Sequence, residues 1–243
     1  VASLLAVGEA VNVVRRGTAD VMLAGGSDNR AVWLAMIRYP LFAEMSARND
    51  DPEHAVRPFD THREGQVMGD GSGTLVVEEL DHARRRGGPI LAEVLGFAAG
   101  FDRGRTGAGL ARVMRQALKR AGLTPADLDH INSGAPGTRA DDAWEARAIA
   151  ELLGDADVPV LAAKSYFGNL GTASSVIEIM ASLAPMMKGW RPGTLNHHET
   201  APDCPVRVLR EPGPVQRPVF MKIAGTDLGQ CAVLVLRRWE EQP

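Results

Sequence analysis

Residues 1–16 carry Leu4, Leu5, Val7, Val11 and Val14 at spacings of one to four, and Arg15, Arg16 and Gly17 close the run. That pattern predicts a nearly all-apolar helix over Val1 to Arg16 that expects cover on every side. Ala19 to Ala24, ended by Gly25 and Gly26, reads as a short strand buried on both faces. A helical stretch from Ala31 to Met45 follows. The polar, turn-rich segment from Ser46 to Gly73 then reads as an excursion packed on the surface or used in function. A strand from Gly73 to Glu79 and a short polar helix from Asp81 to Arg86 lead to Gly87-Gly88.

Beyond Gly88 the alternation is regular: strand Ile90 to Ala98, helix Gly109 to Ala121, strand His130 to Ser133, helix Asp141 to Leu153, strand Pro159 to Ala163 and helix Thr172 to Lys188. Two strands, Val219 to Ala224 and Cys231 to Arg238, finish the chain. Strands alternating with helices predict an α/β fold with a mainly parallel sheet covered on both faces. Residues 1–87 have the order of the tail of the same pattern, so the chain reads as one and a half copies of one repeat, with units 1–87 and 88–243. The helix at Val1 then corresponds to the helix from Thr172 to Lys188. An apolar helical pattern already under way at Val1 suggests that the natural chain extends upstream.

Composition narrows the function. With 27 Lys plus Arg against 30 Asp plus Glu, the 243 residues carry a formal charge of −3, and 6 Phe, 4 Trp and 2 Tyr are too few for a base-stacking platform, which sets nucleic acid aside. No apolar run reaches the roughly 18 residues of a membrane span. The 2 cysteines, Cys204 and Cys231, lie far apart without metal-type spacing, so a reducing, cytoplasmic setting is expected.

The stretches GEAVNVVRRGTADVMLAGGSD, SARNDDPEHAVRPFDTHREGQVMGDGSG, INSGAPGTRADDAWEARAI, AAKSYFGN and PGTLN, above all RPFDxxRxGxVxGDGxG, resemble the β-ketoacyl-acyl-carrier-protein synthases, the thiolase-fold condensing enzymes of fatty acid and polyketide synthesis. The resemblance implies two βαβαβαββ halves stacked about a pseudo-twofold, of which this chain holds the second and the tail of the first. It implies an acyl thioester on an acyl carrier protein as partner, a homodimer or a heterodimer with a complete ketosynthase, and no metal or other cofactor. In that family a Cys at the start of the first central helix takes the acyl chain, and paired His donors, or a His and an Asn, hold the malonyl thioester oxygen through decarboxylation.

Laid on this chain, the resemblance puts the nucleophile one residue before Val1 and the first His on Gly134. Lys164 matches the family Lys, Asn169 stands at the second His, and Glu178 pairs with Lys164. Thr138, Gly168 and Gly229 fall on substrate-binding positions, with Asp142 and Glu145 of the surrounding motif kept. The gate loop, Ala224 to Gln230, lacks the family Phe. These losses lead to a subunit of the chain-length-factor type that does not condense by itself. The alternative is an active 3-oxoacyl-ACP synthase whose Cys lies just upstream.

Plainer readings stand beside these. Lys164 with Glu178 also reads as a structural ion pair, and Asn169 as a helix cap. Arg57, Asp60 and Arg63 read as a structural charge network. Ser133 has no activating His near it in sequence. His197, His198, Asp203 and Cys204 fit no zinc spacing and read as a surface loop. The Gly69 to Gly73 run leads into a strand, the wrong context for a phosphate cradle. Arg84, Arg85 and Arg86 suit either a solvated helix end or an acidic carrier protein.

Overall fold

The computed structural model describes residues 1–240. Its first segment runs α1 (Ala2–Arg15), β1 (Val21–Asp28), α2 (Trp33–Arg38), β2 (Gly71–Glu78) and α3 (Leu80–Arg85). The second runs β3 (Ala92–Phe101), α4 (Ala108–Ala121), β4 (Leu128–Asn132), α5 (Arg139–Leu153), β5 (Val160–Leu161), α6 (Lys164–Phe167) and α7 (Ser174–Met186). It ends with β6 (Trp190–Arg191), β7 (Gly213–Pro214), β8 (Val219–Gly225) and β9 (Gln230–Arg238).

The main sheet has the strand order β3-β9-β8-β4-β5. Period-two alternation divides its side chains: Met221, Ile223, Val233 and Val235 face α4 and α5, whereas Phe220, Leu234 and Leu236 face α1 and α7. Both faces are therefore dry, as the continuous apolar runs predict. The sheet is mixed, however, and not mainly parallel: β4 runs parallel to β5 and β8, while β9 lies antiparallel to both β8 and β3. Two strands so close in sequence as β8 and β9 are joined by a hairpin, which enforces the antiparallel pairing.

On the far side of α1 and α7, β1 pairs antiparallel with β2 from Val21 opposite Glu78 to Asp28 opposite Gly71. Helix α1 is thus sandwiched, yet Ala2, Ala6 and Glu9 form a solvent stripe, so it is not covered on every side. Leu23 and Val76, on the outer face of the β1–β2 ladder, are 70% and 60% exposed. The helix expected to Met45 stops at Arg38 and continues only as a 3-10 turn over Tyr39–Leu41, because Pro40 offers no N–H. The strand expected from Pro159 to Ala163 keeps only Val160 and Leu161, and the short helix α6 that opens at Lys164 was not expected. The helix expected from Thr172 begins as a 3-10 turn over Gly171–Ala173 and becomes α7 at Ser174.

Close approach of α4 to β3 rests on Gly96, where a Cβ would run into the main-chain carbonyl of Ala117. Gly96→Ala is expected to destabilise the fold by about 1–3 kcal/mol, the cost of overpacking against backbone. A urea midpoint unchanged from the parent would show that β3 and α4 have room to separate.

Candidate active site

A cavity of about 430 Å³ opens where the first turn of α1, the 44–68 strap, the β4–α5 connection and the α6–α7 connection meet. The strap is pinned from below. Asp142 on α5 accepts the backbone N–H of Phe59 at 2.7 Å and of Gly137 at 3.0 Å, and Phe59, buried, takes a left-handed φ of 63°. Such a conformation is costly for a bulky residue and persists because both ends of the contact are held. Further along, Gly65 donates to the Gly137 carbonyl at 3.0 Å, and Asn169 donates its main-chain N–H to the Val67 carbonyl at 2.8 Å.

Lys164 lines the cavity, and its ammonium is ion-paired with Glu178 of α7. The other oxygen of Glu178 meets a second ammonium, that of Lys222 on β8, which the sequence reading did not single out. Lys222 is fully buried and also donates to Asn132 Oδ1 at 3.1 Å and to the Ser133 carbonyl at 2.8 Å. Burial pulls the Lys222 ammonium down from its ordinary range, against the pull of Glu178. For Glu178, burial alone would raise the carboxyl, but the two lysines outweigh it and hold the group at about 2.

From Lys222 the polar chain continues away from the cavity. Asn132 Nδ2 donates to Ser182 Oγ at 2.7 Å, and Ser182 Oγ lies 2.8 Å from His130 Nε2. His130 Nδ1 lies 3.0 Å from the Asp129 carboxylate, so Nδ1 carries the proton and Nε2 accepts from Ser182. Burial lowers the His130 pKa, keeping the ring neutral. Asp129, His130 and Ser182 resemble a hydrolytic triad in order, but they are buried in the core and line no part of the cavity.

Gly134 lies at the cavity wall. A Cβ there would stand 2.9 Å from Glu145 Oε1 and 3.3 Å from the Ile223 carbonyl. Glu145 accepts the Gly134 N–H at 3.0 Å and the Ser133 hydroxyl at 2.6 Å, so Ser133 is engaged as a donor to a carboxyl and not paired with a base. Burial raises the Glu145 pKa. Among the described residues that line the cavity there is no His and no Cys. Cys204 and Cys231 are buried elsewhere, and desolvation pushes their thiols up to about 12 and about 11, far from thiolate at neutral pH.

Asn169 does line the cavity, and its side chain caps neither α6 nor α7. Its Oδ1 closes a local turn by accepting Gly171 N–H at 3.0 Å and Ser174 Oγ at 3.3 Å, while Nδ2 donates to Gln66 Oε1 at 2.5 Å. Thr138 lines the cavity and caps α5 through the Asp141 N–H. Gly168 and Gly229 do not line it. Gly229 has a φ of 89° and leaves no space for a Cβ beside the Asp102 carbonyl, an account that is entirely one of backbone geometry.

Arg57, Asp60 and Arg63 join in the expected charge network. Asp60, fully buried, accepts the N–H groups of His62, His198 and Glu199 at 2.8, 2.7 and 3.1 Å, and its carboxyl is depressed despite burial. Arg63 makes two bonds to Asp203, at 2.9 and 2.7 Å. These contacts correct the surface-loop reading of 197–204: His197 and Cys204 are buried beneath the strap, with His197 Nδ1 3.0 Å from the Pro58 carbonyl. Among the described residues, no group of three or more His, Cys, Asp or Glu is arranged to hold a metal, and no helix is long and apolar enough to cross a membrane. In the Arg84 to Arg86 run, Arg86 is tied to Glu78 at 2.6 Å and Arg84 lies over Trp239, 5.5 Å from the ring centre.

The family described as "Beta-ketoacyl synthase, N-terminal domain" matches residues 2–83, and "Beta-ketoacyl synthase, C-terminal domain" matches 91–198. The chain belongs to the β-ketoacyl synthase family, the ketosynthases of fatty acid and polyketide biosynthesis, and has their thiolase-like fold. It is 38% identical over 200 residues to a 3-oxoacyl-acyl-carrier-protein synthase of Rhizobium meliloti, an alignment covering 79% of this chain and 47% of that one. The solved ishigamide ketosynthase/chain length factor superposes with a TM-score of 0.90 at 33% identity, covering 98% of this chain and 59% of that one. A type II ketosynthase solved with its acyl carrier protein and a hexaketide gives a TM-score of 0.92 at 29% identity, covering 98% and 61%. The chain thus spans about half to three fifths of the length of these relatives.

Two measurements check the Glu178 cluster. Lys222→Met leaves Glu178, Asn132 and Ser133 short of a donor in the core, and is expected to cost about 3–5 kcal/mol in urea unfolding. Because the folded-state pKa of Glu178 lies near 2, below its ordinary 4.5, its stabilisation is complete above pH 4.5 and lost as the pH falls toward 2. Glu178→Gln should remove that acid-limb component; a variant whose acid limb matches the parent would contradict the assignment.

Proposed function

We propose that the chain is a ketosynthase-type unit that receives acyl thioesters carried on an acyl carrier protein without condensing them by itself, and that it acts as a chain-length-factor-like partner of a complete ketosynthase. One observation carries this reading. At Gly134, where the family has an imidazole, the cavity wall offers main chain and the carboxyl of Glu145. No imidazole reaches this wall to steady a developing enolate, and Glu145, whose carboxyl burial pushes toward its neutral form, is engaged in accepting the Gly134 N–H and the Ser133 hydroxyl. Loss of one oxyanion donor by itself typically costs about 10²–10³ in rate. Lys164, Glu178 and Asn169 keep the floor of the pocket, which fits retention of the bound geometry without the chemistry. The relative solved as a ketosynthase/chain length factor pair supports such a role, as does the relative solved with its carrier protein.

Partner dependence is supported by the apolar surface near the cavity mouth. No residue of α2 is buried, Trp33 is 84% exposed and Phe42 76%. Patches of this kind on a soluble protein mark interaction surfaces. A homodimer or a heterodimer would cover them, and a soluble, cytoplasmic protein is the setting that goes with a carrier-protein partner.

A second reading, an active 3-oxoacyl-ACP synthase, is favoured by Val1 at the cavity wall, since a residue preceding it would enter the same space. Intact-mass spectrometry of the native full-length protein with hexanoyl- and malonyl-loaded carrier protein separates the two. No acyl adduct and no β-ketoacyl product are expected from the protein alone, with product appearing when a co-purified ketosynthase is present. A stable acyl adduct and product from the protein alone would establish the second reading.

A further inference from the structure

Gln66 sits at the cavity, almost fully buried at 6% exposure, and belongs to none of the positions that the family resemblance singles out. Its backbone is fixed on both sides: its N–H donates to the Glu44 carbonyl at 3.0 Å, and its carbonyl accepts from the Ser46 N–H at 3.0 Å. Its side chain is oriented by elimination. Asn169 Oδ1 is occupied by Gly171 N–H and Ser174 Oγ, so the atom Asn169 presents to Gln66 is Nδ2, a donor. Gln66 must answer with Oε1, which leaves its Nε2 group on the other side of the amide. Among the described residues no hydrogen bond uses that Nε2. That Nε2 is not among the closed-off polar atoms of the core, so on a side chain that lines the cavity its two N–H groups are open to an acceptor there.

We propose that Gln66 is a ligand-binding residue of this cavity, its Nε2 donating to a carbonyl oxygen of a bound acyl thioester, with Asn169 as the residue that positions it. The assignment rests on the reading that the cavity takes acyl thioesters. The chemistry follows from the neighbours. An amide donor is neutral and suits a carbonyl in its ground state, whereas enolate stabilisation would need the donor missing at Gly134. The strap makes the placement firm: Met68, two residues on, bridges to Asn169, and Gly69 donates to the Asn169 carbonyl at 3.1 Å, so the two amides ride on one piece of paired backbone.

The test uses the native full-length protein and acetoacetyl-pantetheine labelled with ¹³C at its carbonyls, read by calorimetry and by the carbonyl infrared band. Gln66→Glu keeps an oxygen facing Asn169 Nδ2 and replaces only the Nε2 donor; Gln66→Met removes both functions without adding charge. Binding is expected to weaken about tenfold in each, the scale of one hydrogen bond. The low-frequency shift of a carbonyl band on binding should be present in the parent and absent in both variants, an effect that a merely structural role would not produce. Parent-like affinity and band shift in Gln66→Met would overturn the assignment while leaving the thioester reading standing. A parent that does not bind the probe would overturn that reading and this assignment together.

Discussion

A single carboxylate buried between two ammonium groups organises this protein. Glu178 lies in the core where an isolated charge would be prohibitive, and it stays ionised because Lys164 and Lys222 reach it from two different elements. The three residues tie α7 to α6 and to β8. One face of the cluster is the floor of the cavity; the other passes the hydrogen-bond order on through Asn132, Ser182 and His130 to Asp129. Buried ion pairs of this kind contribute little net stability relative to apolar packing, but removing one member is expensive. The cluster therefore acts as a specification: it forces Lys164 to stand in one place with one orientation.

Above that floor, placement is the work of the strap. Asp142 holds Phe59 in a strained conformation, Asp60 gathers three backbone N–H groups from the 198–199 turn and from its own loop, and Arg63 closes the contact to Asp203. These contacts carry Gln66 and Met68 to Asn169. The strap around the proposed thioester site is thus held by the second half of the fold, and the departures from the family pattern lie at Gly134 and in the loop from Ala224 to Gln230, both at the cavity wall. A scaffold kept around an altered wall is the arrangement that the proposed separation of binding from chemistry calls for.

Much of this was legible in the sequence. The helices α4 and α5 were legible from the regular strand–helix alternation, and the dry faces of β8 and β9 from unbroken apolar runs. Lys164, Asn169 and Gly134, which the structure brings to one cavity, and Glu178, which pairs with Lys164, stand out in the sequence because the motifs around them are long. The antiparallel turn at β9 and the early stop of α2 were local consequences of a hairpin and of Pro40. Lys222 was not legible: a lysine inside VFMKIAG reads as an exposed strand position, and only the fold brings its partner carboxylate from α7. Gln66 stayed hidden for the same reason, since its significance lies in an amide contributed by the other half of the chain. The burial of His197 and Cys204 depends likewise on the strap folding over them.

We propose that the cavity wall at Gly134 withholds the donor on which decarboxylation depends. Release of carbon dioxide from malonyl-loaded carrier protein by the native protein and by its Gly134→His variant tests this most directly, since the atom a Cβ would approach is the movable end of Glu145. The account predicts release at the spontaneous rate from the native protein and a gain of about 10²-fold in the variant, the size of one oxyanion donor. Rapid release by the native protein, abolished by Lys164→Met, would contradict it.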